Sequence, residues 1–517
     1  MRRTPPSLRL LPLTLAGLGA ALLMTAAQAQ GLRAQRVWQY DHAATGVAGQ
    51  KAEIVAYDAL TDTLWVAGVK GVDVLSRSTG SLLQHIDVSG FGTINSVAIH
   101  GGKAAFAIEN SSSRTSPGSV VFYDTATRTQ SGAALTVGAL PDMLTFTPDG
   151  SRVLVANEAT PTGAVDPVGG VSIIDVASRT VNTVNLDPAL PGWSSLRQFP
   201  TSGSTATRPN FSPMGPEPEY IAVDKTGTRA YVTLQEANGL AVLNLQTQSF
   251  EKVVGLGLKD FSLPGNAIDP NDQDGRIELR SANVKGLYQP DGIAAYEAGG
   301  KTFLVMANEG DSREDGTDER RGSAGNASVE LVPEGSELSR LTLSNVESVR
   351  GDLLTFGGRS FSIRDTNGQL VYDSGNLLDA EAIARGLYDD GRSDNKGVEP
   401  EGVTLLDIEG RTFAFIGLER TTTSAVAVFD ITDPTQVSFL DFIVGQGDLA
   451  PEGLSGFKIG PNYYLAVANE AVDGVAGTTS LFQLSPVPEP STYALMAGGL
   501  LALGAFARRR TLDTART

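Results

Sequence analysis

The chain has no cysteine and only three histidines, His42, His85 and His100. The first absence excludes disulfides as a source of stability. The second leaves too few imidazoles for a site built on several of them. Positive charge is also short: 40 Lys and Arg against 58 Asp and Glu give a net charge of -18 over 517 residues. A duplex needs a basic face, so nucleic acid is excluded as a partner. An acidic surface suits cations, cationic partners or plain solubility. Long helical patterns are scarce as well. Short alternating apolar segments and 58 glycines point to an all-β protein.

What the chain does have is a repeat. The Pro-acid step Pro400-Glu401 opens an apolar run, a turn at Gly410 reverses it, and a second run ends at Glu419. The same order recurs from Pro141-Asp142 to Glu158, Pro218-Glu219 to Glu236, Pro290-Asp291 to Glu309, and Pro451-Glu452 to Glu470. Ala52 to Ala67 and Ile94 to Glu109 are weaker copies. Recurrence at tens of residues signals a solenoid, a propeller or an array. Each of the seven units holds about four short strands, the content of one propeller blade. The seventh supplies only three, the last being Thr478 to Leu484, and the lone strand Arg33 to Tyr40 supplies the fourth. The expected fold is a seven-bladed β-propeller of four-stranded antiparallel blades over residues 30–485, closed by that N-terminal strand. Closure would remove the sheet edges. A pair of β-sandwiches is the alternative.

Three insertions interrupt the rhythm. Residues 187–216 read as a surface loop. Leu263 to Tyr288 carries an Asp-rich turn, and Gly310 to about Val349 reads as a mobile, charged excursion. Strands of the repeat are expected to resume near Leu353–Phe356, and Ala380 to Tyr388 reads as a short helix.

The ends carry address labels. Residues 1–29 read as a signal peptide, with Arg2 and Arg3, an apolar core from Leu8 to Ala26, and a small-x-small site at Ala27-Gln28-Ala29. Signal peptidase would remove it. The Thr-Pro-Pro after the arginines fits a twin-arginine signal poorly, so the general secretory route is expected; a buried helix is the alternative. In residues 486–511, Pro488-Glu489-Pro490 precedes an apolar run from Tyr493 to Ala507 and then Arg508 to Arg510. The run is short for a transmembrane segment but is the only membrane contact expected. The arginines would hold the extreme C-terminus in the cytoplasm.

This tail resembles the PEP-CTERM sorting signal of Gram-negative bacteria. The resemblance implies recognition by an exosortase and transfer to the cell surface or extracellular matrix. The body has its own resemblance. Ala267 to Glu314, with Asn308-Glu309-Gly310-Asp311-Ser312-Arg313-Glu314, and the stretch VEPEGVTLLDIEGRTFAFIGLER look like the choice-of-anchor I family. That family includes proteins similar to mesenchyme-specific cell-surface glycoproteins. A more distant similarity is to phytase-like propellers. No chemistry carries over residue by residue.

The repeated acids are the candidate site. In an antiparallel blade the start of the first strand and the end of the second share an edge. Asp142, Glu219, Asp291, Glu401 and Glu452 should therefore share one face with Glu158, Glu236, Glu309, Glu419 and Glu470, with Asp311 close by. Carboxylates gathered there repel unless a cation, an arginine or a proton intervenes. Hard oxygen ligands suit calcium or magnesium, and calcium is the expected cofactor. A purely structural use is the alternative: the Pro-acid steps shape a turn and the strand-end acids bind backbone amides. Asp269, Asp272 and Asp274 form a second metal candidate, although Pro270 and Ser281 break an EF-hand alignment. An Asx turn is the alternative there. Arg313 and Arg420 follow strand-end acids and are anion-binding candidates. Two functions fit: a surface-anchored module binding exopolysaccharide, mineral or another matrix ligand through cations, or a calcium-dependent phosphoesterase, phytase-like or alkaline-phosphatase-like.

Overall fold

The computed structural model describes residues 31–487 except 163–164, 198–214, 314–317, 324–329 and 471–475. The expected signal peptide, Pro488-Glu489-Pro490 and the apolar tail lie outside the described residues. Among the described residues no helix is long and apolar enough to cross a membrane.

Seven antiparallel sheets carry the repeat, with their strands in sequence order apart from the edge of the seventh. Their first strands are Val55–Asp58, Ile94–His100, Pro141–Phe146, Pro218–Val223, Ile293–Ala298, Pro400–Ile408 and Pro451–Ile459. The third sheet shows why the sequence takes this form. Its second strand, Arg152–Asn157, buries Val153 to Ala156 completely. Leu154 and Ala156 pack with Ile221 and Val232 of the following sheet, whereas Val153 and Val155 pack with Val120 and Phe122 of the preceding one. Alternate side chains of a pleated strand face opposite ways, so a strand sandwiched between two sheets must be apolar on both faces.

Each first strand touches the next in chain order, and Pro451–Ile459 also touches Val55–Asp58. Six of them, with Ile54 just ahead of Val55–Asp58, line a common cavity of about 430 Å³, to which Val97, Leu144, Ile221, Ile293, Val403 and Leu454 contribute. The N-terminal strand, Leu32–Asp41, lies at the edge of the seventh sheet beside Thr478–Pro486. Just beyond it, His42 Nδ1 is 2.6 Å from Asp73 of the first sheet and Nε2 is 2.8 Å from the Thr479 hydroxyl. His85 reaches the other Asp73 oxygen at 2.7 Å. Both His42 and Asp73 are fully buried, so this cluster joins the strands Leu32–Asp41 and Thr478–Pro486 to the first sheet.

The insertions depart from expectation. The excursion after Gly310 and the insertion before Tyr288 form one additional five-stranded sheet, ordered Leu258–Asp260, Lys285–Leu287, Leu354–Thr355, Thr342–Ser344, Glu319–Arg321. Phe261, Ile268, Val284, Leu341, Leu343 and Leu353 give it a core of its own. Its apolar residues are split over two distant segments, so neither half shows a period by itself. Leu354–Thr355 accordingly belongs to this sheet and not to the repeat. The helix runs over Leu377–Ala384, earlier than expected, because Gly386 leaves the helical region with φ 69°.

Asp73→Ala should lower the unfolding free energy by about 3 kcal/mol, because it leaves two histidines without their buried acceptor. Urea denaturation measures this. A loss below about 1 kcal/mol would show that the cluster does not hold these strands to the first sheet.

Candidate functional site

An irregularity delivers the acids of the repeat. Pro141, Pro218, Pro400 and Pro451 pair with Asn157, Leu234, Leu418 and Asn469, and the register then shifts before Leu144, Ile221, Val403 and Leu454. The acid sits inside that shifted step. A bulge takes a residue out of the ladder and re-aims its side chain. The residue ahead of the proline is left-handed at Leu140, Gln289, Glu399 and Ala450. For a non-glycine residue that costs about 1–2 kcal/mol. The glycine of the Pro-Glu-Gly step has a separate reason. A Cβ on Gly402 would collide with the Glu452 carbonyl oxygen, and one on Gly453 with that of Glu53. Neighbouring first strands come this close only where no side chain intervenes.

The outcome is a cavity of about 730 Å³. Asp142, Glu158, Glu219, Glu236, Asp291, Glu309, Asp311, Glu401, Glu419, Glu452 and Glu470 all line it, as does Arg420. Sequence reasoning missed Glu53 and Glu399. Glu53 is the strand-start acid of the first repeat, where Ala52 replaces the proline, and Asn95 is its counterpart in the second. Glu399 precedes its proline, outside the motif. In total thirteen carboxylates face five cationic side chains, Lys51, Arg114, Arg392, Lys396 and Arg420. One strand-end assignment shifts by a residue. Because Pro218 pairs with Leu234, Gln235 holds the place that Glu158 and Glu419 hold elsewhere, and Glu236 lies one step beyond.

The acids fall into two sets. Most strand-end acids have partners. Glu309 accepts from Gln235 at 2.9 Å and Lys396 at 2.7 Å. Glu419 pairs with Arg420 at 2.7 Å, Glu470 with Lys51, and Glu158 accepts from Thr160. Glu399 pairs with Arg392 at 2.6 Å and Lys396 at 3.2 Å. By contrast, no hydrogen bond or ion pair from a described residue reaches the carboxylates of Glu53, Asp142, Glu219, Asp291, Glu401 or Glu452. These are the strand-start acids. Glu158, Glu309, Glu419 and Glu470 meet cations, an amide side chain and a hydroxyl, whereas Glu236 takes the backbone-amide role considered for the strand-end acids, at its own amide.

Protonation cuts across this division, because burial also raises Glu158 and Glu236 well above the usual range and Glu419 to about 8. Burial, reinforced by Glu470, pushes Glu53 up to about 8. Burial pushes Asp142 up to about 6. Burial and neighbouring carboxylates raise Glu219, Asp291, Glu401 and Glu452 well above the usual range. Glu399 is the exception: burial pushes it up, but Lys396, Arg392 and Arg420 outweigh that and hold it low. The strand-start acids can thus shed their mutual repulsion by keeping protons or by sharing a cation.

The other candidates lie elsewhere. Arg313 is buried away from the cavity, 3.1 Å from Glu217 and 3.5 Å from Asp166, with its Nη1 donating to the Gly215 carbonyl at 2.8 Å. An arginine so enclosed is a structural cation and not an anion receptor. Asp269 pairs with Arg280 at 3.2 Å and accepts from the Glu278 amide. Asp272 pairs with Arg340 at 2.8 Å and Asp274 with Arg280 at 2.9 Å. Asp274 also accepts from the Arg276 amide, as in an Asx turn. Asp269 and Asp274 share Arg280 while Asp272 takes Arg340, so two arginines meet the charge of all three acids. His42, His85 and His100 do not line the acidic cavity.

A family model described as the choice-of-anchor I domain matches residues 53–434, and one described as the PEP-CTERM protein-sorting motif matches residues 486–510. The sorting motif implies export, exosortase processing and sorting to the surface in Gram-negative bacteria. A mesenchyme-specific cell surface glycoprotein of Strongylocentrotus purpuratus is 25% identical over 348 residues, 54% of this chain and 42% of the relative. The chain thus spans less than half the length of that curated relative. Among solved structures, Kuenenia stuttgartiensis hydrazine synthase aligns with a TM-score of 0.44 and 12% identity, over 83% of this chain and 97% of the other. The Myceliophteria thermophila Cps50 (Swd1) β-propeller domain aligns with a TM-score of 0.44 and 8% identity, over 87% and 99%.

The raised carboxyls set an inverted pH dependence for the metal-free protein. A carboxyl raised by folding keeps its proton where the unfolded chain has lost it. Its stabilising contribution is therefore present at low pH and lost as pH rises from the ordinary glutamate value of 4.5 towards about 8. In chelator, the melting temperature should fall across this window. A melting temperature that rises steadily from pH 5 to pH 8 would contradict the assigned protonation.

Proposed function

We propose that this chain, which belongs to the choice-of-anchor I family, is a surface-sorted β-propeller that binds divalent cations in its acidic cavity and uses them to hold a matrix ligand. The seven repeat sheets are read as seven blades, with the strand Leu32–Asp41 completing the last one. The single observation that carries the cation reading is the set of six strand-start carboxylates that share one cavity without a protein partner. Protein cations pair with the strand-end acids Glu309, Glu419 and Glu470 but with none of these six. A hard divalent ion takes several carboxylates and retains waters, which suits a polar cavity of about 730 Å³. Calcium is the ion proposed. An ion whose coordination is incomplete can also accept an anionic group from outside, so exopolysaccharide or mineral is the ligand class that fits. The PEP-CTERM motif supports the location, because sorting to the surface brings the cavity to matrix polymers. The name of the curated relative also refers to a cell surface.

Calcium should raise the melting temperature of the wild-type protein above its value in sodium of equal ionic strength, because the unfolded chain has no cavity to bind it. At a hundred times Kd the stabilisation would be about 2.7 kcal/mol. Equal melting temperatures in calcium, chelator and sodium would discard the cation reading. A parallel assay with a generic phosphomonoester separates binding from hydrolysis. Calcium-dependent turnover would move the assignment to the phosphoesterase.

A further inference from the structure

The thirteen carboxylates are not evenly spaced. Two triplets bring one oxygen of each member within 4.8 Å of the others: Asp291, Glu309 and Glu401, and Glu309, Glu399 and Glu419. Glu309 belongs to both. The second triplet already has its cations. Lys396 Nζ lies 2.7 Å from Glu309 and 3.2 Å from Glu399, Arg392 is 2.6 Å from Glu399, and Arg420 is 2.7 Å from Glu419. The first triplet has only its share of Lys396 through Glu309. Asp291 is 8% exposed, and no described residue reaches its carboxylate. Glu401 Oε2 is buried and has no hydrogen-bond partner. A buried anion without a partner is costly, so Asp291 and Glu401 must hold either a proton or a cation.

The position of Lys396 is built in. Arg359, 1% exposed, donates to the carbonyl oxygens of Ser393 and Asn395 at 2.8 Å each and to that of Asp269 at 3.1 Å. It thereby pins the turn that presents Lys396. An ammonium is a compact point charge, the side-chain group most like a bound ion.

Resting on the cation reading above, we propose that Asp291, Glu309 and Glu401 bind one divalent cation of the calcium type, and that Lys396 is a tethered ammonium filling the adjacent position and competing with the ion through the shared Glu309. The ion would join the fifth repeat, which supplies Asp291 and Glu309, to the sixth, which supplies Glu401. Lys396 would lower the affinity by holding part of the charge of Glu309 and by repelling the incoming ion.

The test is calorimetric titration of the full chain with calcium chloride in chelator-stripped buffer. Wild type, Asp291→Asn, Glu401→Gln, Lys396→Met and the insertion-sheet variant Asp274→Asn are compared, each checked for a wild-type far-UV spectrum. Two variants at the triplet ensure that one which fails to fold does not end the test. Loss of a ligand carboxylate should weaken binding by about 10-fold or more. Lys396→Met should tighten it by a similar factor, and Asp274→Asn should leave it unchanged. If the wild type binds calcium but neither Asp291→Asn nor Glu401→Gln weakens it, the triplet assignment is overturned while the cation reading stands. If the triplet variants weaken binding and Lys396→Met does not tighten it, the competing role of Lys396 is overturned. If the wild type binds no calcium, the cation reading itself fails and this inference goes with it.

Discussion

Close approach of the first strands is the constraint on which the rest of the structure depends. Their backbones come so near at Gly402 and Gly453 that a Cβ would meet the carbonyl oxygen of the next repeat's acid. Once strands crowd this tightly, whatever each repeat places at its first turn is placed beside the same group from its neighbours. A proline followed by an acid is tolerable in one repeat. Repeated around a shared cavity, it becomes a concentration of like charge that the fold must answer.

The answer differs between the two ends of the paired strands. Strand-end acids face segments that leave the sheets, and those segments bring Lys51, Lys396 and Arg420 to them. Strand-start acids sit at a bulge, next to other first strands, where no described cation pairs with them, although Arg114 and Lys51 offset part of the burial effect on Asp142 and Glu53. That is why the same residue type, a few residues away along one repeat, belongs to an ion pair in one place and to an unpartnered set in the other.

The irregular connections do more than link sheets. The segment between the fifth and sixth sheets, after Leu370–Asp373, supplies Arg392, Lys396 and Glu399 to the cavity. Arg359 ties that segment to the insertion at the Asp269 carbonyl. The insertion sheet, with its own apolar core, thus braces the loop that carries the cavity's cations. Arg340 of the insertion completes that brace by binding both Asp272 of the insertion and Asp394 of the loop.

The sequence by itself determined the all-β class, the repeat with its four-strand unit, and eleven of the thirteen acids that line the cavity. These are local or periodic properties: alternation marks a strand, and a recurring Pro-acid step marks the same edge each time. The surface-sorting tail was legible for the same reason, since its motif, apolar run and arginines are contiguous. Only the tertiary structure decided which acids are neutralised. Lys396 lies 87 residues beyond Glu309, and nothing in Asn395-Lys396-Gly397 signals a counter-ion. Glu399 was hidden because it stands before its proline in a left-handed conformation, where no motif places a functional side chain. The extra sheet was hidden because its core is divided between two insertions. Charge compensation and split cores depend on distances across the fold, and a periodic reading sees only neighbours along the chain.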